Sequence, residues 1–213
     1  MLGTMQDRPL ALTHFFERAE RYFPRKEVVT ATATSIERTT YGDWAERTRR
    51  LGGVLDQLGI SADGRVGTFA WNTARHLELY FAAPCSGRVL HTLNIRLFPE
   101  QLTYIVNHAE DEVIFVDKTV AGLLWPLLGT FETVRHIVVI DDGGPFDTSD
   151  PGPGKQVHDY EELLAAASPA LLITYLAALL LLRVREARRA LELYTPRLCP
   201  PASRRSRQDG GRG

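Results

Sequence analysis

Helix-spaced and strand-length apolar segments alternate along the first 168 residues, and that alternation constrains the fold more than any other feature. Leu12 to Tyr22 is predicted as an amphipathic helix stopping before Pro24. Glu27 to Thr30 and Ile36 to Thr40 are predicted as short strands of a hairpin. Thr40 then reads as a helix N-cap, with Asp43 three residues on as the capping-box acid, and Gly59 ends the helix. Further on come a strand at Arg65 to Ala70 and a helix capped by Asn72 or Thr73, with Leu77, Tyr80, Phe81 and Pro84 on one face. A strand at Val89 to Leu93 and a helix opened by Pro99 follow. Val113 to Asp117 is nearly all apolar, as in a strand buried on both faces. A helix over Val120 to Leu128, strands at His136 to Ile140 and Val157 to Tyr160, and a helix at Glu161 to Ala167 complete the series. This order predicts an α/β fold of βαβ units, with a mostly parallel sheet flanked by helices.

The formal net charge is −1, which offers no general attraction to nucleic acid or an anionic membrane. The value hides an asymmetry. Residues 1–168 carry 16 Lys+Arg and 23 Asp+Glu, whereas residues 169–213 carry 9 Arg, no Lys and 3 acids. Such a change marks a boundary, drawn here near Ser168. The second part reads as an apolar helix followed by a basic, disordered tail. Leu163 to Leu182 contains no charge over twenty residues, but its first third is weakened by Ala165–Ala167, Ser168 and Pro169, so membrane association is not expected. Cys85 and Cys199 make neither a disulfide framework nor a zinc pattern, and the N-terminus lacks the apolar core of a secretory signal. A cytoplasmic setting is the expectation.

The residues show no obvious catalytic constellation. The run Gly152 to Lys155 resembles part of a P-loop, but Ser149 stands where the first Gly is needed and Gln156 where Ser or Thr is needed. Ser86 has no nucleophile elbow, and Cys85 reads as a buried helix-end thiol. The six histidines lack metal-ligand spacing, and Glu110, Asp111 and Glu112 read as a solvated turn. Strand ends present Asn72, His91, Asn94 and Arg96. Ligands gather beyond the carboxyl ends of strands in open parallel sheets, so these four are the ligand-side candidates. The competing reading is that Asn94 and Arg96 cap the next helix and pin its loop.

The segments TYGDWAERTRRLGGVLDQLGISADGRVGTFAWN and RHLELYFAAPCSGRVLHTLNIRLFPEQLTYIVNHAEDEVIFVD carry a family resemblance. They are similar to the N-terminal part of fatty-acyl-CoA synthetases, medium- and long-chain members of the adenylate-forming, AMP-binding ligases. The resemblance covers about four fifths of the chain. It implies ATP, Mg²⁺ and CoA as cofactors, a fatty acid as substrate and a possible homodimer. The implied reaction forms an acyl-adenylate and then a thioester. The family's Ser/Thr/Gly-rich loop ending in Pro-Lys-Gly is expected soon after residue 168, and no Ser-Gly-Thr-Thr-Gly run occurs in this sequence. The resemblance therefore carries no catalytic, cofactor-binding or metal-binding residue onto this chain. The expectation is a fragment inactive alone, with residues 169–213 a frameshifted or foreign reading. A non-catalytic partner-binding fragment is the alternative. Strands Val113–Asp117 and His136–Ile140 are expected to leave an edge or face exposed, with poor solubility as the consequence.

Overall fold

The structure is a computed structural model and describes residues 11–32 and 35–170. Helix α1 (Leu12–Tyr22) leads into an antiparallel hairpin of β1 (Glu27–Ala31) and β2 (Ile36–Thr40). Thr40 caps α2 (Tyr41–Gln57) through a complete capping box with Asp43, and Gly59 (φ +67°) takes the chain out of the helix. The parallel sheet then begins. In chain order it comprises β3 (Arg65–Phe69), α3 (Ala74–Cys85), β4 (Val89–Thr92), α4 (Pro99–Ala109), β5 (Asp111–Asp117) and α5 (Lys118–Leu124). A 3₁₀ turn (Trp125–Thr130), β6 (His136–Ile140), β7 (Gln156–Asp159) and α6 (Tyr160–Ala166) follow.

The sheet order is β4-β3-β5-β6-β7, every pair parallel. The chain enters at β3, steps outward to β4, and returns across β3 to β5. That reversal is a topological switch point between β3 and β5. Strand alternation divides the core into two layers. Val66, Val113, Phe115, Val138 and Ile140 meet α2, α3 and α6 on one face. Ile114, Val116, Ile137 and Val139 meet α4 and α5 on the other. A third cluster packs Phe16 of α1 against Trp44, ring centroids 5.0 Å apart. The described residues all fall in one compact unit.

Several expectations are corrected. Residues Glu110 to Glu112 are not a solvated turn. Glu110 is the left-handed C-cap of α4, and Asp111, fully buried, opens β5. A β-bulge where the register jumps between Arg65 and Val66 puts two residues of β5 against one step of β3 and turns Asp111 toward the sheet. The face of α3 is also different: Glu78, Leu79, Ala82 and Ala83 are buried and Tyr80 is exposed. Leu77 and Phe81 instead pack with the Phe16–Trp44 cluster. Strands β5 and β6 are inner strands with both edges paired, so they expose neither edge nor face. Helix α6 ends at Ala166, and Ala167 is extended. No helix among the described residues is long and apolar enough to cross a membrane, and most of the stretch 163–182 lies outside them.

Candidate functional site

The carboxyl ends of β3 and β4 open onto a concave surface of about 330 Å³. Three of the four sequence candidates line it: Asn72, Asn94 and Arg96, with Trp71 and Tyr80 supplying aromatic walls. All three are exposed. Asn94 does not cap α4, whose N-cap is Phe98. Its Oδ1 accepts from the Arg96 backbone N–H at 3.0 Å, an Asx turn that folds the loop back toward β3. The Arg96 guanidinium has no ion-pair partner among the described residues. The floor is His76, 4% exposed, held between Thr68 Oγ1 and the Trp71 carbonyl oxygen, each at 3.0 Å. Burial lowers the His76 pKa, so the ring is neutral and serves as a fixed spacer.

His91 does not join this group. Its Nδ1 lies 2.9 Å from both carboxylate oxygens of Asp111, the residue that opens β5 at the amino end of the sheet. The contact spans β3 at Gly67, where an added Cβ would come within 3.2 Å of Asp111 Oδ2. The Asp111 carboxylate raises the His91 pKa, and burial raises that of Asp111. This pair stabilises the amino end of the sheet.

Sequence reasoning missed Asp117, the last residue of β5 and the C-terminal partner of the switch point. It is fully buried; Oδ2 accepts from the Trp71 N–H at 2.6 Å, while Oδ1 has no hydrogen-bond partner among the described residues. Burial, reinforced by Asp142, pushes its pKa up to about 6 against the pull of the Trp71 N–H. Trp71 Nε1 also donates to Thr119 at 3.0 Å, so one residue ties the ends of both strands together. The signal was available: an acid ending an apolar strand at a switch point. A second polar centre joins three elements. Buried Glu78 accepts from Arg47 Nε at 2.7 Å and from the Tyr160 hydroxyl at 2.5 Å, while Arg47 and Arg75 share Glu161. Every charge there is paired, which makes it a clamp between α2, α3 and α6.

The described residues do not fit ATP with Mg²⁺. A triphosphate needs several convergent N–H groups. In the first turn of α3, the Thr73, Ala74 and His76 N–H groups already donate to Trp71 O, Thr30 Oγ1 and Thr73 Oγ1. In the P-loop-like run, Lys155 Nζ donates to the carbonyls of Phe131 and Val134 at 2.8 and 3.1 Å, so it pins a loop. No three acid, His or Cys side chains converge as metal ligands among the described residues. No chemical step through these groups is assigned to this segment.

The family model described as "AMP-binding enzyme" matches residues 15–179. A long-chain-fatty-acid–CoA ligase of Thermus thermophilus is 47% identical over 144 residues, covering 67% of this chain and 27% of that protein. A 3-methylmercaptopropionyl-CoA ligase of Ruegeria lacuscaerulensis is 41% identical over 160 residues, covering 75% of this chain and 30% of that protein. The chain thus spans less than a third of the length of these relatives. Among solved structures, an anthranilate CoA ligase in complex with anthranoyl-AMP superposes with a TM-score of 0.67 at 20% identity, covering 80% of this chain and 31% of that one. That likeness concerns the fold. On the family match over most of its length, the chain belongs to the AMP-binding enzymes.

Proposed function

We propose that this segment is the N-terminal scaffold of an ATP-dependent carboxylic acid–CoA ligase and does not catalyse ligation on its own. The observation that carries it is the 47% identity to a long-chain-fatty-acid–CoA ligase over 144 residues. The lack of a phosphate cradle or convergent metal ligands among the described residues supports the second half. Its contribution to the activity is positional: Trp71 and Asp117 hold the switch point, and Asn72, Asn94 and Arg96 face outward beyond the strands. ATP, Mg²⁺ and CoA would be held mainly by other parts of such a ligase, which works in the cytoplasm on a fatty acid. Residues 1–168 form the family portion in this reading, and 169–213 a foreign or frameshifted one.

The two relatives act on different acyl groups, so the assay offers both kinds. The purified chain is incubated with ATP, Mg²⁺, CoA and octanoate, palmitate or 3-methylmercaptopropionate, and acyl-CoA is read by mass spectrometry. No acyl-CoA is expected; steady turnover would overturn the proposal of inactivity. A Thermus ligase carrying residues 15–168 of this chain in the corresponding place is expected to ligate. Its failure, when folded, would overturn the scaffold role. A second reading, pairing with another copy, rests on the exposed apolar residues of α1: Leu12, Phe15 and Tyr22 at 45%, 62% and 62%. Light scattering on the purified chain decides it, since a strict monomer excludes that pairing.

A further inference from the structure

The histidines have no metal-ligand spacing along the chain, yet parallel pairing brings two of them together. His136 opens β6 and His158 is the third residue of β7. The register pairs His136 with Gln156 and His158 with Val138, so the two are diagonal neighbours on the sheet face that carries Val138. His136 Nδ1 and His158 Nε2 lie 3.1 Å apart, with ring centroids separated by 5.3 Å. Neither ring lines the concave surface at the strand ends.

Nitrogen ligands lie about 2.0–2.1 Å from a bound zinc ion. Two such nitrogens are therefore about 2.9 Å apart at a right angle and about 3.4 Å apart at a tetrahedral angle. The observed separation falls between these spans without movement of the backbone. The Leu58 backbone also lies against His136 and favours a proton on that ring. A neutral imidazole that donates from one nitrogen offers a lone pair at the other, and such a backbone partner is what orients metal-bound histidines. The charged groups near His136 are Arg135 and Glu112, and these bond each other at 2.7 Å. Burial lowers the pKa of both rings, which keeps them in the form that binds metal. Both remain partly exposed, so an ion with its waters has access.

We propose that His136 and His158 form a two-histidine site for a divalent transition ion of the copper or zinc type, strapping edge strand β7 to β6. Among the described residues no third ligand converges, so water completes the coordination sphere. Each neutral ring carries one proton, and one of the two bridges the facing nitrogens; binding moves that proton to the far nitrogen of its own ring, so that both facing nitrogens offer lone pairs to the ion.

The test titrates the full 213-residue chain with Cu²⁺ alone and with Zn²⁺ alone at neutral pH. One ion per chain with micromolar affinity is expected, and the Cu²⁺ electron paramagnetic spectrum should show coupling to two imidazole nitrogens. His158→Gln should weaken binding about tenfold or more, while His108→Gln on α4 leaves it unchanged. Equal affinity in His158→Gln, or no stoichiometric binding up to millimolar metal, overturns the site. Should His158→Gln fail to fold, the wild-type copper spectrum decides, because coupling to fewer than two imidazoles also overturns it.

Discussion

Asp117 shows how a single side chain can record an architectural position. A fully buried carboxylate with one unpartnered oxygen is costly in its charged form. In the fold it titrates near 6, against an ordinary value of 3.8. Between those values the native state holds more protons than the unfolded chain, so stability falls as pH rises from about 4 to about 6 and stays reduced above. Asp117→Asn retains an acceptor for the Trp71 N–H and removes the titration. The stability difference between variant and wild type should therefore move in the variant's favour by up to about 3 kcal/mol between pH 4 and pH 7. Urea unfolding of both proteins across that range measures it, and a difference independent of pH would show that Asp117 is not held protonated. The His91–Asp111 contact makes the complementary point. Both residues are visible in the sequence, but their meeting depends on a β-bulge and on Gly67 leaving room between them. Neither device has a local signature, which is why Asp111 read as part of a solvated turn and His91 as a ligand-side residue.

At the scale of elements, the legible parts are those with local causes. Helix α1 and strand β6 occur at the expected residues, and the Thr40–Asp43 box starts α2 as its spacing requires. Where tertiary packing decides, local spacing does not set the outcome. Tyr80 shares helical spacing with Leu77 and Phe81, yet the buried face of α3 is rotated to place Glu78 against Arg47 and Tyr160. The expected helix over 120–128 splits into α5 and a 3₁₀ turn at Trp125-Pro126, where proline removes a backbone donor. Gly53 is the element-scale case with a measurable consequence. In mid-helix, Gly→Ala ordinarily gains about 0.5–1 kcal/mol. Here an added Cβ would lie 2.1 Å from the Ser168 carbonyl oxygen, and the Ala170 N–H donates to Arg49 O at 2.9 Å just beside it. Residues 168–170 thus lie directly across α2. Gly53→Ala should cost about 1–3 kcal/mol by displacing that strand of chain, whereas Gly129→Ala, with nothing within 4 Å, should be near neutral. Urea midpoints compare them, and a stabilised Gly53→Ala would mean that the chain does not pack there.

For the molecule as a whole, strand order carries the argument, and no periodicity encodes strand order. The sequence suggested a sheet left open at β5 and β6. Instead, the return of the chain across β3 places both in the interior, and β7 closes the far side. The exposed edges fall to β4 and β7, which have only four residues each, and short edges resist strand-to-strand aggregation. Both faces of the sheet are covered by helices drawn from residues 41–166, so the two main core layers share every inner strand. Layers that share strands cannot lose one packing surface and keep the other. The described unit should therefore unfold in a single cooperative step rather than aggregate as an open sheet. The three tryptophans test this because they occupy separate places. Trp44 lies in the α1–α2 cluster, Trp71 at the switch point, and Trp125 against Phe146 beside the α5 layer. In urea, tryptophan fluorescence and far-ultraviolet circular dichroism should give coincident midpoints. Separated midpoints would show that α1 and the hairpin detach before the sheet, and visible aggregation without a transition would restore the open-edge picture.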